Sequence, residues 1–222
     1  MHPTPRDPNA PSPGRRRLLR IAAVAALGSP ALVRAGDVAL RPTPPNALGP
    51  FYPPQKPADS DADLTHVAGH AGGAKGTLLY VSGRVLDVHG KPIGNAALEL
   101  WQANAFGRYI HPADSDASGP LDPDFQGYGR LASGADGAFR IKTIKPPPYS
   151  GRTPHIHFIV ADRSTRLTTQ MFFEGEVMNE RDGLYRYLSR DDRRASTGRY
   201  MDRSAAMEPG VLAVAWDIVL AA

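Results

Sequence analysis

Residues 136–160 read DGAFRIKTIKPPPYSGRTPHIHFIV. Asp136-Gly137 is a turn signal. From Ala138 to Ile144, Phe139 and Ile141 alternate with polar neighbours at the period of a half-buried strand. Pro146, Pro147 and Pro148 then hold the chain extended, and Pro154 restricts Thr153 to extended geometry, so Tyr149 and Arg152 sit on a stiff loop. A second strand is predicted from His155 to Val160. Residues i and i+2 of a strand share a face, so His155 and His157 project together while Ile156 points the other way.

Outward from this stretch the same signals recur. Leu78 to Leu86 is rich in aliphatic and β-branched residues, with a turn at Asp87–Pro92. Ala97 to Trp101, Leu167 to Phe173 and Val211 to Leu220 complete a set of six short strands. With 22 glycines and 22 prolines among 222 residues, the chain favours turns over long helices. The predicted class is all-β, an antiparallel β-sandwich with long loops. Short helices are expected around Asn179 to Leu188 and Asp191 to Ala195. Residues 36–75, with Pro42, Pro44, Pro45, Pro50, Pro53, Pro54 and Pro57, read as an extended arm over the surface of a domain spanning 76–222.

The net charge of +4 points at first to an acidic partner. Its location says otherwise. Residues 1–35 hold six arginines and one acid, a net of +5, which leaves −1 for the rest. Nucleic-acid binding loses its support. Ser12 to Ala35 reads SPGRRRLLRIAAVAALGSPALVRA, a cationic start, an apolar run and a small-residue end, as in an export signal cleaved after Ala35. Arg15-Arg16-Arg17-Leu18-Leu19-Arg20 resembles a twin-arginine signal, which predicts a periplasmic or secreted protein. Ile21 to Val33 is too short to span a bilayer. The absence of cysteine excludes disulfides, thiol catalysis and thiolate metal sites.

Taken alone, His155 and His157 are as well read as a surface pair, Arg152 as a surface salt bridge, Gln170 as a strand amide, and Tyr109 and Tyr149 as packing residues. Two imidazoles next to a rigid loop bearing a phenol and a guanidinium look more like a site, and the segment Trp101 to His111 presents a second phenol, Tyr109.

Several ordered motifs change the weighting: LGPFYPP (Leu48 to Pro54), ELWQANAFGRYIH (Glu99 to His111), LDPDFQGYGR (Leu121 to Arg130), DGAFRIKTIKPPPY (Asp136 to Tyr149), RTPHIHF (Arg152 to Phe158) and TTQMFFEG (Thr168 to Gly175). Together they resemble the intradiol ring-cleaving catechol dioxygenases, especially the protocatechuate 3,4-dioxygenase branch, over Leu48 to Leu188. The resemblance implies non-haem Fe(3+) held by Tyr109, Tyr149, His155 and His157, a hard N/O set in keeping with the missing cysteine. It implies Tyr109 and His157 as equatorial ligands and Tyr149 and His155 as axial ones, with Tyr149 leaving the metal to take a substrate proton. Arg152 and Gln170 are implied beside the iron, Arg152 stabilising charge on the substrate ring. Gly49 and Phe51 are implied to close the substrate pocket. The substrates implied are a small aromatic diol and O2, and the product implied is a muconate-type diacid.

Some features depart from that pattern. His155 follows Tyr149 by only six positions, with no tryptophan between them, where the protocatechuate enzymes have a longer loop. The N-terminal helical region of catechol 1,2-dioxygenases is missing. Having all four ligands, the chain can act alone as a homo-oligomer. His66, His70, His89 and His111 match no ligand position. The pattern Val81–Asp87, Gly90–Ala96 and Asp136–Phe139 is also similar to non-catalytic transthyretin-like or carboxypeptidase-regulatory modules, but these need neither tyrosinate nor the histidine pair. A zinc hydrolase needs a third His or acidic ligand and an open water position.

Overall fold

The computed structural model describes residues 39–114, 119–202 and 207–221, all within the compact unit Asp37–Ala222. The predicted export signal at 1–35 lies outside the described residues.

Strand β1 (Leu78–Asp87) is followed by β2 (Ala97–Trp101), β3 (Tyr128–Ala132), β4 (Ala138–Ile144), β5 (His155–Ala161) and β6 (Arg166–Phe173). A 3-10 turn (Val177–Glu180) and helices α1 (Gly183–Arg186) and α2 (Arg190–Ser196) lead to β7 (Thr197–Tyr200), β8 (Leu212–Ala215) and β9 (Ile218–Leu220). Among the described residues the strands form a nine-stranded sheet in the order β3-β2-β5-β6-β7-β8-β1-β4, with β9 also on β1.

The sheet is mixed, which corrects the expectation of antiparallel pairing throughout. β1 pairs in parallel with β8 and β9, and β6 pairs in parallel with β7. Parallel neighbours need a crossover. The helical segment after β6 provides one, returning the chain so that Phe172 faces Thr197.

Val211 to Leu220 is two strands rather than one. Between them the Trp216 N–H donates to the Ser82 carbonyl and Asp217 Oδ1 accepts from the Arg84 N–H. Gly83 permits this close approach, since a Cβ there would lie 1.8 Å from the Trp216 carbonyl oxygen. β3 and β7 carry too little alternation to be read from sequence.

β5 is buried along His155–Val160. Ile156, Phe158 and Val160 enter the main core with Leu79, Val81, Leu98, Ile141 and Trp216. Ile159 belongs to a second cluster with Trp101, Ala103, Tyr109 and Tyr128, against which Phe51, Tyr52 and Tyr149 pack. The histidines share that second face.

The described part of the arm, 39–75, has no regular strand and is mostly exposed. It nevertheless enters the core at Leu64, which is fully buried. The Thr43 N–H donates to the Val219 carbonyl and the Asn46 N–H to the Thr168 carbonyl. Each anchor satisfies a backbone group that an irregular segment would otherwise have to leave to water. No helix among the described residues is long and apolar enough to cross a membrane.

Candidate metal centre

β5 sets the first two donors. The His155 and His157 rings lie 4.9 Å apart, nearly perpendicular. Trp101, opposite His157 in register, stacks on it at 4.8 Å and 12°. Thr153 orients His155: its carbonyl is 2.6 Å from Nδ1, and because a carbonyl only accepts, Nδ1 carries the proton. The lone pair of Nε2 therefore faces Tyr149 Oη, 3.3 Å away.

Tyr149 is placed by a two-residue turn. Its N–H donates to the Arg152 carbonyl and the Arg152 N–H returns the bond, while Ser150 and Gly151 take φ of 44° and 77°. Positive φ at both central residues suits the twist of a tight hairpin, so the short loop is rigid. Tyr109 follows a loop built on Asn104, whose Oδ1 accepts from the Phe106 and Arg108 N–H groups. Its own N–H donates to the buried carboxylate of Asp114. The two phenol oxygens are 3.1 Å apart.

Arg152 is held from two sides. Nε donates to Asp182 Oδ2 at 2.7 Å, and Nη2 donates to Gln170 Oε1 at 2.7 Å. Gln170 Nε2 in turn donates to the Ala47 carbonyl, tying the arm to the cluster. Gly49, at φ 75°, lies over His157, where a Cβ would sit 3.0 Å from Cε1. The Phe51 ring is 4.9 Å from that of Tyr109.

Burial governs the protonation of these groups. It lowers His155 to about 4, with the Arg152 charge adding to the effect, and it lowers His157 well below the usual imidazole range. Both imidazoles are neutral at pH 7 and free to bind a cation. Burial also raises Tyr109 and Tyr149, so each phenol keeps its proton unless a cation compensates the phenolate.

The donor set fits such a cation. Donors that share a first-row metal ion at about 2 Å lie about 3 Å apart, which matches 3.1 and 3.3 Å. His157 Nδ1 is buried without a hydrogen-bond partner. The Ala47 backbone still raises the pKa of that ring, against the larger effects that lower it. No group of three His, Cys, Asp or Glu converges on a metal among the described residues, so the tyrosines are essential to the set.

All eight candidate residues, Gly49, Phe51, Tyr109, Tyr149, Arg152, His155, His157 and Gln170, thus belong to one cluster. His70 instead contacts Asp124, and the His89 backbone is fixed in an exposed turn by Asp87. His111 lies beside Phe51. Sequence reasoning missed Asp182, which is fully buried, accepts from Arg152 and from the Thr153 N–H, and caps α1 through the Leu184 and Tyr185 N–H groups. Asp before Gly is a helix-start signal, but nothing local links it to Arg152. Thr153 is secured likewise, its hydroxyl donating to Asn179 Oδ1.

Comparison with known proteins shows the family. The family described as Dioxygenase matches residues 48–222. The protocatechuate 3,4-dioxygenase beta chain of Burkholderia cepacia is 38% identical over 180 residues, covering 77% of this chain and 76% of that protein. This chain belongs to the intradiol ring-cleaving dioxygenase family. The hydroxyquinol 1,2-dioxygenase of Nocardioides simplex is 31% identical over 64% of this chain and 51% of its own length, so the chain spans about half of that relative. Among solved structures, the dioxygenase domain of a dioxygenase–carbohydrate-binding fusion from Streptomyces sp. SirexAA-E superposes with a TM-score of 0.62 at 30% identity, covering 82% of this chain and 99% of that one. Intradiol dioxygenases are oxidoreductases, and this membership removes the non-catalytic module and the zinc hydrolase as readings.

Proposed function

We propose that the chain is a non-haem ferric dioxygenase that opens a protocatechuate-like catechol ring between its two hydroxyl-bearing carbons, consuming O2 and yielding a muconate-type diacid. The observation that carries this reading is the convergence of Tyr109 Oη, Tyr149 Oη and His155 Nε2 within 3.1 and 3.3 Å in a buried, cysteine-free cluster completed by His157. When bound, ferric iron makes both phenols phenolates and renders a chelated catecholate reactive towards O2.

The remaining work falls to the protein. Tyr149, less deeply buried than Tyr109 and on the turn beside Arg152, accepts a proton from an incoming substrate hydroxyl and returns to the phenol form that its burial favours. Tyr109, pinned by Asp114, stays in place. Arg152 holds a fixed positive charge beside the cluster because Asp182 and Gln170 constrain its guanidinium, and that charge stabilises anionic character on the substrate. Gly49 and Phe51 cover His157 and Tyr109 and exclude water.

The 38% identity to a protocatechuate enzyme supports the substrate class. The iron-loaded protein is expected to be red from phenolate-to-iron charge transfer and to consume one O2 per catechol cleaved. A chain that stays colourless after iron loading refutes the assignment. We propose in addition that the chain is exported by the twin-arginine route and works outside the cytoplasm. A mature protein beginning at Gly36 in the periplasm or medium is the expected result, and an unprocessed cytoplasmic chain refutes it.

A further inference from the structure

The two candidate histidines are not secured alike. His155 takes its orientation from the Thr153 carbonyl. His157 Nδ1 is also buried but has no hydrogen-bond partner among the described residues, and the Ala47 carbonyl, whose backbone still acts on that ring, accepts from Gln170 Nε2. A ring without such a bond is held by what packs on it. For His157 that is the near-parallel indole of Trp101 at 4.8 Å and the backbone at Gly49, where a Cβ would sit 3.0 Å from Cε1.

Trp101 is itself seated by the arm. Tyr52 meets it nearly edge to face, with ring centres 4.9 Å apart at 72°. The Tyr52 hydroxyl donates to Glu99 Oε2 at 2.6 Å, and the Tyr128 hydroxyl donates to the same oxygen at 2.8 Å. Glu99 and Trp101 lie two apart on β2 and share a face, and their partners across the ladder to β5 are Ile159 and His157. Burial opposes the charge on Glu99, but the two hydroxyls and the Lys56 charge outweigh it, so the group is a carboxylate at pH 7. A hydrogen bond to a charged acceptor is about twice as strong as a neutral one. Lys56 Nζ covers the Tyr52 ring at 3.5 Å and donates to the Pro53 carbonyl, which holds the arm from its other side.

Fixing Tyr52 also fixes its neighbours in sequence. Phe51 lies 4.9 Å from Tyr109, and Gly49 lies over His157. Residues 49–52 thus reach two proposed ligands and the ring stacked on one of them. We propose that Glu99 is a positioning residue for the metal cluster: through Tyr52 it sets the stack of Trp101 on His157 and the cover that Gly49 and Phe51 provide. Its effect on iron rests on the dioxygenase reading, whereas its effect on the seating of His157 does not.

The test compares Tyr52→Phe with Tyr128→Phe, since each takes one hydroxyl from Glu99 and keeps its ring. Ferric affinity of the full chain is read by competition with nitrilotriacetate. Tyr52→Phe should bind iron about tenfold more weakly and shift the visible phenolate-to-iron band, and Glu99→Ala should weaken iron at least as much. Tyr128→Phe, whose hydroxyl ties Glu99 to β3 rather than to the arm, should stay within about twofold of the parent. In the iron-free chain a 1H–13C spectrum of the histidine rings reports the stack, because the ring current of an indole shifts an imidazole packed on its face. The His157 signal should move towards that of an unstacked imidazole in Tyr52→Phe and stay in place in Tyr128→Phe. Iron affinity in Tyr52→Phe equal to the parent's, equal losses in the two tyrosine variants, or a His157 signal that does not move in Tyr52→Phe overturns the proposal. If the parent binds no iron, the dioxygenase reading falls and the His157 signal alone decides the role of Glu99.

Discussion

Replacing Asp182 with asparagine tests whether a residue with no contact to the proposed metal nevertheless sets the site. Its carboxylate accepts from Arg152 Nε at 2.7 Å and the Thr153 N–H at 2.9 Å on Oδ2, and from the Leu184 and Tyr185 N–H groups at 2.9 and 3.2 Å on Oδ1. Asparagine retains one oxygen. If it faces the helix, the new NH2 opposes two donors, the guanidinium and the Thr153 N–H.

Removing one partner of a fully buried pair costs about 3–5 kcal/mol. The Arg152 side chain is 22% exposed, so water recovers part of its solvation. The expected loss is about 2–4 kcal/mol, or a fall of about 10 °C in Tm for a domain of this size. Urea denaturation measures the first and a thermal melt the second. With Arg152 released, kcat in the folded protein should drop about 10- to 100-fold with less change in KM, a split that a purely structural residue does not produce.

The effect should also depend on pH. Burial alone would raise the Asp182 pKa, but the bonds from Arg152 and the Thr153 N–H outweigh it and hold it below the ordinary carboxylate value. A depressed folded pKa stabilises above the unfolded value of about 3.9 and loses that contribution as pH falls through the folded one. The stability gap between parent and variant should therefore be constant from about pH 7 to pH 5 and close below about pH 4. A variant within about 0.5 kcal/mol of the parent that turns over at the parent rate would refute the role assigned to Asp182.

Tyr149→Phe should weaken the visible charge-transfer band of the iron-loaded protein and slow turnover while circular dichroism is unchanged; unaltered absorption means the ligand is misassigned. Leu64→Ala should cost about 2–5 kcal/mol in urea denaturation, because this fully buried side chain fixes the arm in the main core. A cost under about 1 kcal/mol means that the arm is not part of the cooperative unit. Gly83→Ala should destabilise by about 3 kcal/mol or more, since its Cβ would meet the Trp216 carbonyl, a backbone atom that moves only if β1 parts from β8 and β9. A near-neutral melt of that variant would show that the strands separate freely.

Much of the strand content was legible from local pattern, because alternation at Ala138–Ile144 reports which face is buried without reference to a partner, and the short run at His155–Val160, entered through Pro154, reads as a strand although it is buried on both faces. β3 and β7 gave no such signal: β3 is only five residues long and includes Gly129, and β7 follows directly on α2. Local pattern also says nothing about strand direction, so the parallel pairing of Phe172 with Thr197 depended on where the helical crossover returned the chain. The candidate ligands stood out as ordered motifs around a rigid proline loop. The 3.1 and 3.3 Å separations of their donor atoms did not, since Tyr109 and Tyr149 approach each other across forty residues of chain. Asp182 and the Trp101 stack on His157 were likewise invisible, as an aspartate before a short helix and an aromatic in a strand have ordinary local explanations. Sequence alone determined residue chemistry, the absence of cysteine and the local backbone stiffness, because these are properties of single residues and near neighbours. Tertiary structure alone decided which buried charges offset one another and which donors converge, because those energies depend on distances between residues far apart in the chain.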